Sequence, residues 1–457
     1  MVKKSSSNVS FVELGTEKIG KLLAQYAIPA IVAMTASSIY HITDSIFIGQ
    51  GVGELAISGL AITFPLMNLA SAFGSLVGVG GATLMSVRLG QKDYETANKI
   101  LGNVLMLNFI IGVGFSIIAL LLLDHLLYFF GASETTLPYA REFMSVILLG
   151  NVVTHLYLGL NALLRSVGTP KKAMMATIFS VIINLILNPL FIFGFKWGIR
   201  GSALATVISQ ILVLSWQLWI FSNQKNFIRI QKKIFRFDRK IVLDSFAIGM
   251  SPFLMNVAAS MIAILINNGL VRHGGDLAVG AYGIVNRIAF LFTMIVLGLN
   301  NGMQPIAGYN YGAKQISRVN EVLKKTIFFA TCVMLIGFTF VELFPEFIAS
   351  WFTKSQEQID IAAVGLRITF MFFPIVGFQM VTSTFFQSIG MAGKAVFLSL
   401  TRQVIFLTPC LLILPNLFGI SGIWMSLPIS DLMSTILTAI MLIIHFKQIK
   451  NKPLKQI

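Results

Sequence analysis

The segment NVLMLNFIIGVGFSIIALLLL, residues 103–123, contains no charged side chain over 21 positions. A helix of that length spans the ~30 Å hydrocarbon core of a bilayer. Comparable segments recur along the chain, which is 56% hydrophobic and 11% charged with a mean hydropathy of +0.82, whereas soluble domains carry about 25% charged residues. We therefore predict an all-α, polytopic membrane protein with about twelve transmembrane helices. They lie near residues 22–49, 55–86, 100–123, 138–164, 173–194, 199–221, 244–271, 277–308, 323–345, 360–388, 395–415 and 419–446.

The net charge of +16 comes from 34 Lys and Arg against 18 Asp and Glu. If the spans alternate in direction, 27 of the 34 cations fall in or beside the termini and the even-numbered loops. The positive-inside rule places those segments in the cytoplasm. The distribution predicts a multi-pass protein of the plasma or inner membrane with both termini cytoplasmic. It favours contact with anionic lipid headgroups over binding of nucleic acid.

Four segments recur at a nearly constant offset of 222 residues. They are LAISG at 55–59 with LAVGA at 277–281, RLGQK at 88–92 with NYGAK at 310–314, SVGTPKKA at 166–173 with SIGMAGKA at 388–395, and, shifted by 221, GIRG at 198–201 with GISG at 419–422. Because each repeat holds six spans, both halves enter the bilayer in the same direction. The pattern predicts two six-helix bundles related by a parallel repeat: an N-terminal lobe at 1–222, a basic cytoplasmic linker at 223–243 and a C-terminal lobe at 244–457. Two such lobes with a cleft between them are typical of a transporter.

A polar cluster is predicted in the outer half of the first lobe. Asp44, Asn188 and Thr206 lie at similar depths from the ends of their spans, and Asn184 precedes Asn188 by one helical turn. Hard oxygen ligands with a single negative charge suit a proton or a monovalent cation such as Na⁺, and zinc would require His or Cys. The alternatives are a solvated interfacial carboxylate for Asp44 and interhelical hydrogen bonding for the two asparagines.

Two prolines and two further charges lie within the spans. Pro29 is expected to bend the first helix, and Pro189 removes a backbone hydrogen bond beside Asn188, so both are gating candidates. Arg287 and Asp431 lie near mid-membrane in the second half. Charge there is costly, so they are interpreted either as a mutually neutralising structural pair or as a substrate contact.

Several segments resemble the multidrug and toxic compound extrusion family, particularly its MepA-like and DinF-related bacterial branch. They are DSIFIG at 44–49, NLILNPLFIFG at 184–194, GIRGSALAT at 198–206 and PIAGYNYGA at 305–313. The resemblance covers nearly the whole chain. It implies a V of two six-helix bundles that exports organic cations or related drugs in exchange for protons or sodium.

The resemblance also implies a cation site that maps onto Asp44, Asn184, Asn188 and Thr206. Asn188 departs from the family pattern, because an acid is expected there in much of the branch. The glutamate of the NorM branch is absent from SPFLMNVAAS at 251–260. We thus expect drug or dye substrates, H⁺ or Na⁺ as the coupling ion, no other cofactor, and a monomer embedded in the lipid bilayer.

Other functions are weighed against drug export. A flippase for a lipid-linked saccharide shares the two-lobed plan but would need a more cationic cleft for phosphate. A major facilitator ranks third, because RLGQKDYETAN at 88–98 lacks that family's loop pattern. No HExxH, GxSxG or nucleotide-binding loop is present, so we do not expect an enzyme.

Overall fold

The computed structural model describes residues 11–451, except for the side chains of residues 41, 42, 54, 276 and 449–451. The basic termini at 1–10 and 452–457 lie outside the described residues. Twelve spans follow in order: α1 Ile19–Gly51, α2 Leu55–Gly90, α3 Tyr94–Leu121, α4 Leu137–Ser166, α5 Pro170–Gly194, α6 Gly198–Ser222, α7 Arg239–Gly275, α8 Leu277–Gly312, α9 Ile316–Leu343, α10 Gln356–Phe370 with Phe373–Ser388, α11 Ala392–Phe418 and α12 Ile420–Gln448. Short helices cover Glu13–Thr16, Leu123–Phe129 and Pro345–Ser350, and a 3₁₀ turn covers Lys232–Ile234. The prediction of an all-α fold with about twelve spans is confirmed.

The tenth span differs from its predicted form, because it is broken rather than straight. Its two segments meet at an angle of 52°. Pro374 lies in the first turn of the second segment, where it has no backbone N–H to donate to the preceding turn. The residue before a proline is also disfavoured in helical conformation. The chain therefore bends between Phe370 and Phe373.

The internal repeat reappears in the backbone as pairs of residues with positive φ. The pairs are Gly53 with Gly275, Lys92 with Lys314, Gly168 with Gly390, and Gly198 with Gly419. Each pair is separated by 222 or 221 positions, the same offset as the sequence repeat. Left-handed backbone favours glycine, so most of these positions lack a side chain. The two halves thus turn the chain at equivalent points.

The linker between the halves is tied to α3 by two asparagines. Asn98 donates to the Phe227 carbonyl and accepts from the Arg229 amide, both at 3.0 Å. Asn103 lies five residues further along α3. It donates to the Arg236 carbonyl and accepts from the Asp238 amide, both at 3.1 Å. The Asp238 side chain then caps α7, which begins at Arg239, five residues before the predicted start of the second lobe.

The first lobe (α1–α6) and the second lobe (α7–α12) pack at the end of the molecule that carries the linker and the basic loops, called here the basic end. Gly249 of α7 meets the backbone of Leu76, and Gly312 of α8 meets the backbone of Val87. The Gln304 amide bonds the Thr83 hydroxyl at 2.6 Å across the same interface. Glycines allow this backbone approach because a Cβ would overlap the facing helix. The same holds where α8 crosses α1, at Gly298 against Ile31 and Gly302 against Ala27.

The buried apolar side chains show that the lobes separate at the other end. The largest cluster contains residues of both lobes and includes the helix ends near the linker. Two smaller clusters lie at the opposite end: one runs from Ile48 to Ala203 and belongs to the first lobe, and the other runs from Ala281 to Ala362 and belongs to the second. Each lobe therefore has its own core there, and the molecule is a V whose arms diverge from the basic end.

Candidate functional site

The first lobe encloses a buried carboxylate, Asp44, held by side chains of two other helices. Asp44 of α1 is 6% exposed. Its Oδ1 accepts hydrogen bonds from the Asn188 amide of α5 and from the Ser202 hydroxyl of α6, the latter at 2.5 Å. Asn188 and Ser202 are fully buried. A carboxylate inside the hydrocarbon region is costly, and these donors offset part of that cost.

A second set of bonds lies one turn along the same helices. The Tyr40 hydroxyl is 2.8 Å from the Thr206 hydroxyl, and the Asn184 amide donates to Thr206 at 3.1 Å. Tyr40 precedes Asp44 by four residues, as Asn184 precedes Asn188. The i, i+4 spacing places each pair on one helix face, so α1, α5 and α6 share one polar layer two turns deep. The structure thus brings together all four residues of the predicted cluster.

The cluster leaves two amide oxygens without donors. The Oδ1 atoms of Asn184 and Asn188 are buried and have no hydrogen-bond partner among the described residues. Unpaired buried acceptors are uncommon and call for an explanation. The layer thus contains one carboxylate, two unpaired amide oxygens and the hydroxyls of Ser202 and Thr206, and hard oxygen atoms of this kind are what a monovalent cation prefers. In the described part of the chain, no group of three or more His, Cys, Asp or Glu side chains is arranged to hold a metal ion.

Ser202 is not among the predicted site residues, although it bonds the carboxylate directly. It lies four residues before Thr206 on α6, so the spacing used for the asparagines would also have selected it. Tyr40 stands in the same relation to Asp44. Extending the i, i+4 rule from each candidate to its neighbours would have found both.

The predicted gating prolines lie at opposite ends of the first lobe. Pro189 ends the α-helical part of α5, and a π-helical turn, Leu190–Gly194, follows it. Pro189 has no backbone N–H to donate to the Leu185 carbonyl, and π-helical turns inside α-helices are frequent at functional sites. Pro29 lies within the continuous helix α1, 15 residues before Asp44, which is about 22 Å along the axis. It lines a small cavity of about 30 Å³ near the basic end.

The predicted pairing of Arg287 with Asp431 is wrong. Asp431, 5% exposed on α12, accepts a hydrogen bond from Arg402 Nε of α11 at 2.5 Å. The Arg287 guanidinium lies 5.9 Å from the centre of the Phe352 ring. Among the described residues, no carboxylate forms an ion pair with Arg287. Arg402 lies in a π-helical turn of α11, Thr401–Leu407, which packs against α12 and so brings Arg402 within reach of Asp431. The alternative interpretation of Arg287 and Asp431, a substrate contact, stays a prediction.

A V of two six-helix lobes with a buried oxygen-rich cluster in one arm defines a membrane transporter. Comparison with known proteins gives the family. The MatE family model matches residues 29–190 and again residues 252–412. This chain belongs to the MatE family of membrane transporters, which are not enzymes.

The relatives cover nearly the whole chain. The multidrug export protein MepA of Staphylococcus aureus is 26% identical over 425 residues, which is 93% of each protein. Among solved structures, the MATE multidrug transporter DinF-BH is 36% identical with a TM-score of 0.87, over 94% of this chain and 96% of that one. An outward-facing multidrug resistance MATE transporter of the MOP superfamily is 25% identical with a TM-score of 0.89, over 95% and 97% of the two chains.

Proposed function

We propose that this protein exports several unrelated amphipathic small molecules, chiefly organic cations, in exchange for H⁺ or Na⁺. The observation that carries the proposal is the single buried carboxylate of Asp44 beside the two unpaired amide oxygens of Asn184 and Asn188. This arrangement offers one place for one positive charge. The diverging arms of the V provide the cleft through which a larger substrate leaves.

The coupling follows from charge neutralisation. An uncompensated carboxylate in the membrane is costly, and either a proton or a sodium ion removes that cost at Asp44. The two ions are therefore alternatives at one site. Because Asp44 lies on α1, which also contacts α8 of the other lobe, binding at the site acts on a helix that packs against both arms.

The names of the relatives support the substrate class. MepA is named a multidrug export protein, and DinF-BH is described as a multidrug transporter. Neither name favours the flippase alternative. We place the basic end in the cytoplasm on the positive-inside rule, so that the arms of the V open toward the exterior.

The experiment that tests the proposal is dye transport in proteoliposomes. The purified protein is reconstituted, ethidium is supplied as the probe, and a proton gradient and a sodium gradient are imposed separately. Under at least one gradient, we expect ethidium to move in the direction opposite to that of the ion. An unrelated cationic dye should reduce the rate of ethidium movement. Ethidium movement equal to that of protein-free vesicles under both gradients would overturn the proposal.

A further inference from the structure

The segment that precedes α1, residues 11–18, is bound to the second lobe although it belongs to the first. The Leu14 carbonyl accepts from the Asn310 amide of α8 at 2.8 Å and from Arg318 Nη2 of α9 at 3.0 Å. Arg318 Nη2 also donates to the Glu17 carbonyl at 2.7 Å, and its Nε donates to Asn310 Oδ1 at 2.8 Å. One guanidinium and one amide thus hold two backbone carbonyls at the end of the short helix Glu13–Thr16, where such groups lack helical partners.

The same segment is also bound to the first lobe. The ring of Phe11 lies 5.8 Å from that of Tyr94 at the start of α3 and 6.0 Å from that of Phe227 in the linker. Tyr94 and Phe227 stack on each other at 5.7 Å, and the Phe227 backbone is held by Asn98. Phe11 is 5% exposed. This aromatic cluster anchors the segment on the other side of the interface.

The segment therefore crosses the contact between the lobes beside a close backbone approach. A Cβ on Gly15 would lie 2.9 Å from Cε1 of Tyr309, and the backbone of Tyr309 meets Gly90 of α2. If the lobes move apart at the basic end, Tyr94 and Phe227 leave with the first lobe, and Asn310 and Arg318 leave with the second. The segment cannot keep both sets of contacts.

We propose that residues 11–18 are a latch that holds the two lobes together at the basic end and must release from the second lobe before that end opens, because the segment is continuous with α1 of the first lobe. The inference rests on the lobe movement that the proposed function requires, but it concerns which contacts control that movement. Arg318 and Phe11 act on it as positioning residues and contact neither the ion site nor the cleft.

The first test measures opening at the basic end directly. Ser86 is fully buried and faces Gly308 across the α2–α8 contact. A Ser86→Cys reporter, in a protein whose Cys332 and Cys410 are replaced by Ala, is labelled with a water-soluble thiol reagent without any transport substrate. Arg318→Gln and Phe11→Ala should each raise the labelling rate by roughly tenfold, the change expected for loss of a charged hydrogen bond or a buried aromatic contact.

Matched controls separate the latch from general effects. Lys324→Gln removes a cation from an exposed position of α9, and Val12→Ala shortens an exposed side chain of the segment. Both should leave the labelling rate unchanged. Unchanged labelling in Arg318→Gln and Phe11→Ala as well would overturn the latch. Because the labelling rate is measured without export, failure of the latch can be distinguished from failure of the proposed function.

A second test fixes the latch in place. Cysteines that replace Gly15 and Tyr309 are joined by a reducible cross-link, which ties the segment to the second lobe while leaving its connection to α1. The Ser86→Cys reporter is omitted here. We expect the cross-linked protein to stop exporting ethidium and to recover after reduction. Full export by quantitatively cross-linked protein would contradict the proposal.

Discussion

The side-chain amide of Asn188 on α5 donates a hydrogen bond to Oδ1 of Asp44 on α1. Because the side-chain nitrogen of Asn188 faces the carboxylate, the side-chain oxygen of Asn188 is left buried and unpaired. The same contact that stabilises Asp44 thus leaves an unpaired oxygen close to it, which under the proposed function would contact the bound ion. A neutral residue here leaves one negative charge in the network, where much of the family is expected to have two.

Asn188→Asp should strengthen any dependence of export on sodium. A second carboxylate about 4 Å from a bound monovalent cation adds roughly 4 kcal/mol of attraction at an effective dielectric constant of about 20. Part of this is offset by the cost of burying another charge. We expect the sodium concentration that gives half-maximal export to fall about tenfold. Asn416→Asp, at an exposed position of α11, is the control and should not change it. An unchanged sodium dependence in Asn188→Asp would argue against a cation at this site.

Gly249→Ala should favour opening of the basic end. The added Cβ would overlap the backbone of Leu76 on α2, and such overpacking costs about 1–3 kcal/mol. Ser86→Cys labelling should rise roughly tenfold. Gly283→Ala is the matched control, since a Cβ at that helical glycine of α8 meets nothing within 4 Å. Equal labelling in the two variants would show that the lobes do not depend on this contact.

Arg402→Met should lower the thermal stability of the purified protein more than Asp431→Asn does. The first change leaves a carboxylate that is 5% exposed without its partner. The second leaves an arginine side chain that is 30% exposed, so its charge is less deeply enclosed than that of Asp431. Breaking a buried pair costs about 3–5 kcal/mol, and the exposure of Arg402 reduces our expectation to about 2 kcal/mol.

The double variant Arg402→Met with Asp431→Asn should regain most of that stability, because neither charge is then left alone. Melting curves of the three variants at equal detergent concentration provide the measurement. A double variant that melts with the sum of the two single effects would show that the residues are not energetically coupled.

The linker should lie in the cytoplasm. Gln224→Cys in the linker and Glu134→Cys in the α3–α4 loop occupy exposed positions at opposite ends of the molecule. In intact cells, with the two native cysteines replaced, a membrane-impermeant maleimide should label Glu134→Cys and spare Gln224→Cys. The reverse pattern would invert the orientation of the protein.

Much of the fold and of the site follows from local sequence. Long uncharged segments predict the spans because the bilayer sets their length, and the 222-residue repeat predicts the paired turns at Gly168 and Gly390. The i, i+4 spacing of Asn184 and Asn188 is enough to place them on one helix face. The spans and the shared helix face of the two asparagines depend only on helix geometry and on the thickness of the hydrocarbon core.

Other features depend on contacts between distant segments or on irregular backbone. The pairing of Arg402 with Asp431 depends on how α11 packs against α12, which spacing within one helix does not predict. The break in α10 depends on how Pro374 is accommodated. The binding of Leu14 by Arg318 joins residues 304 positions apart, and no local pattern in the sequence indicates it.

The central claim, that Asp44 couples ion entry to export, is tested most directly by gradient-driven ethidium export in Asp44→Asn proteoliposomes. The amide keeps the size of the side chain and its oxygen can still accept from Ser202, so the protein should fold, but it cannot gain or lose the charge that the ion neutralises. Asp124→Asn, which removes a half-exposed carboxylate paired with Arg141 outside the cluster, is the control and should export normally. At equal protein abundance, the account predicts that Asp44→Asn export falls to the rate of protein-free vesicles, and export at the wild-type rate would contradict it.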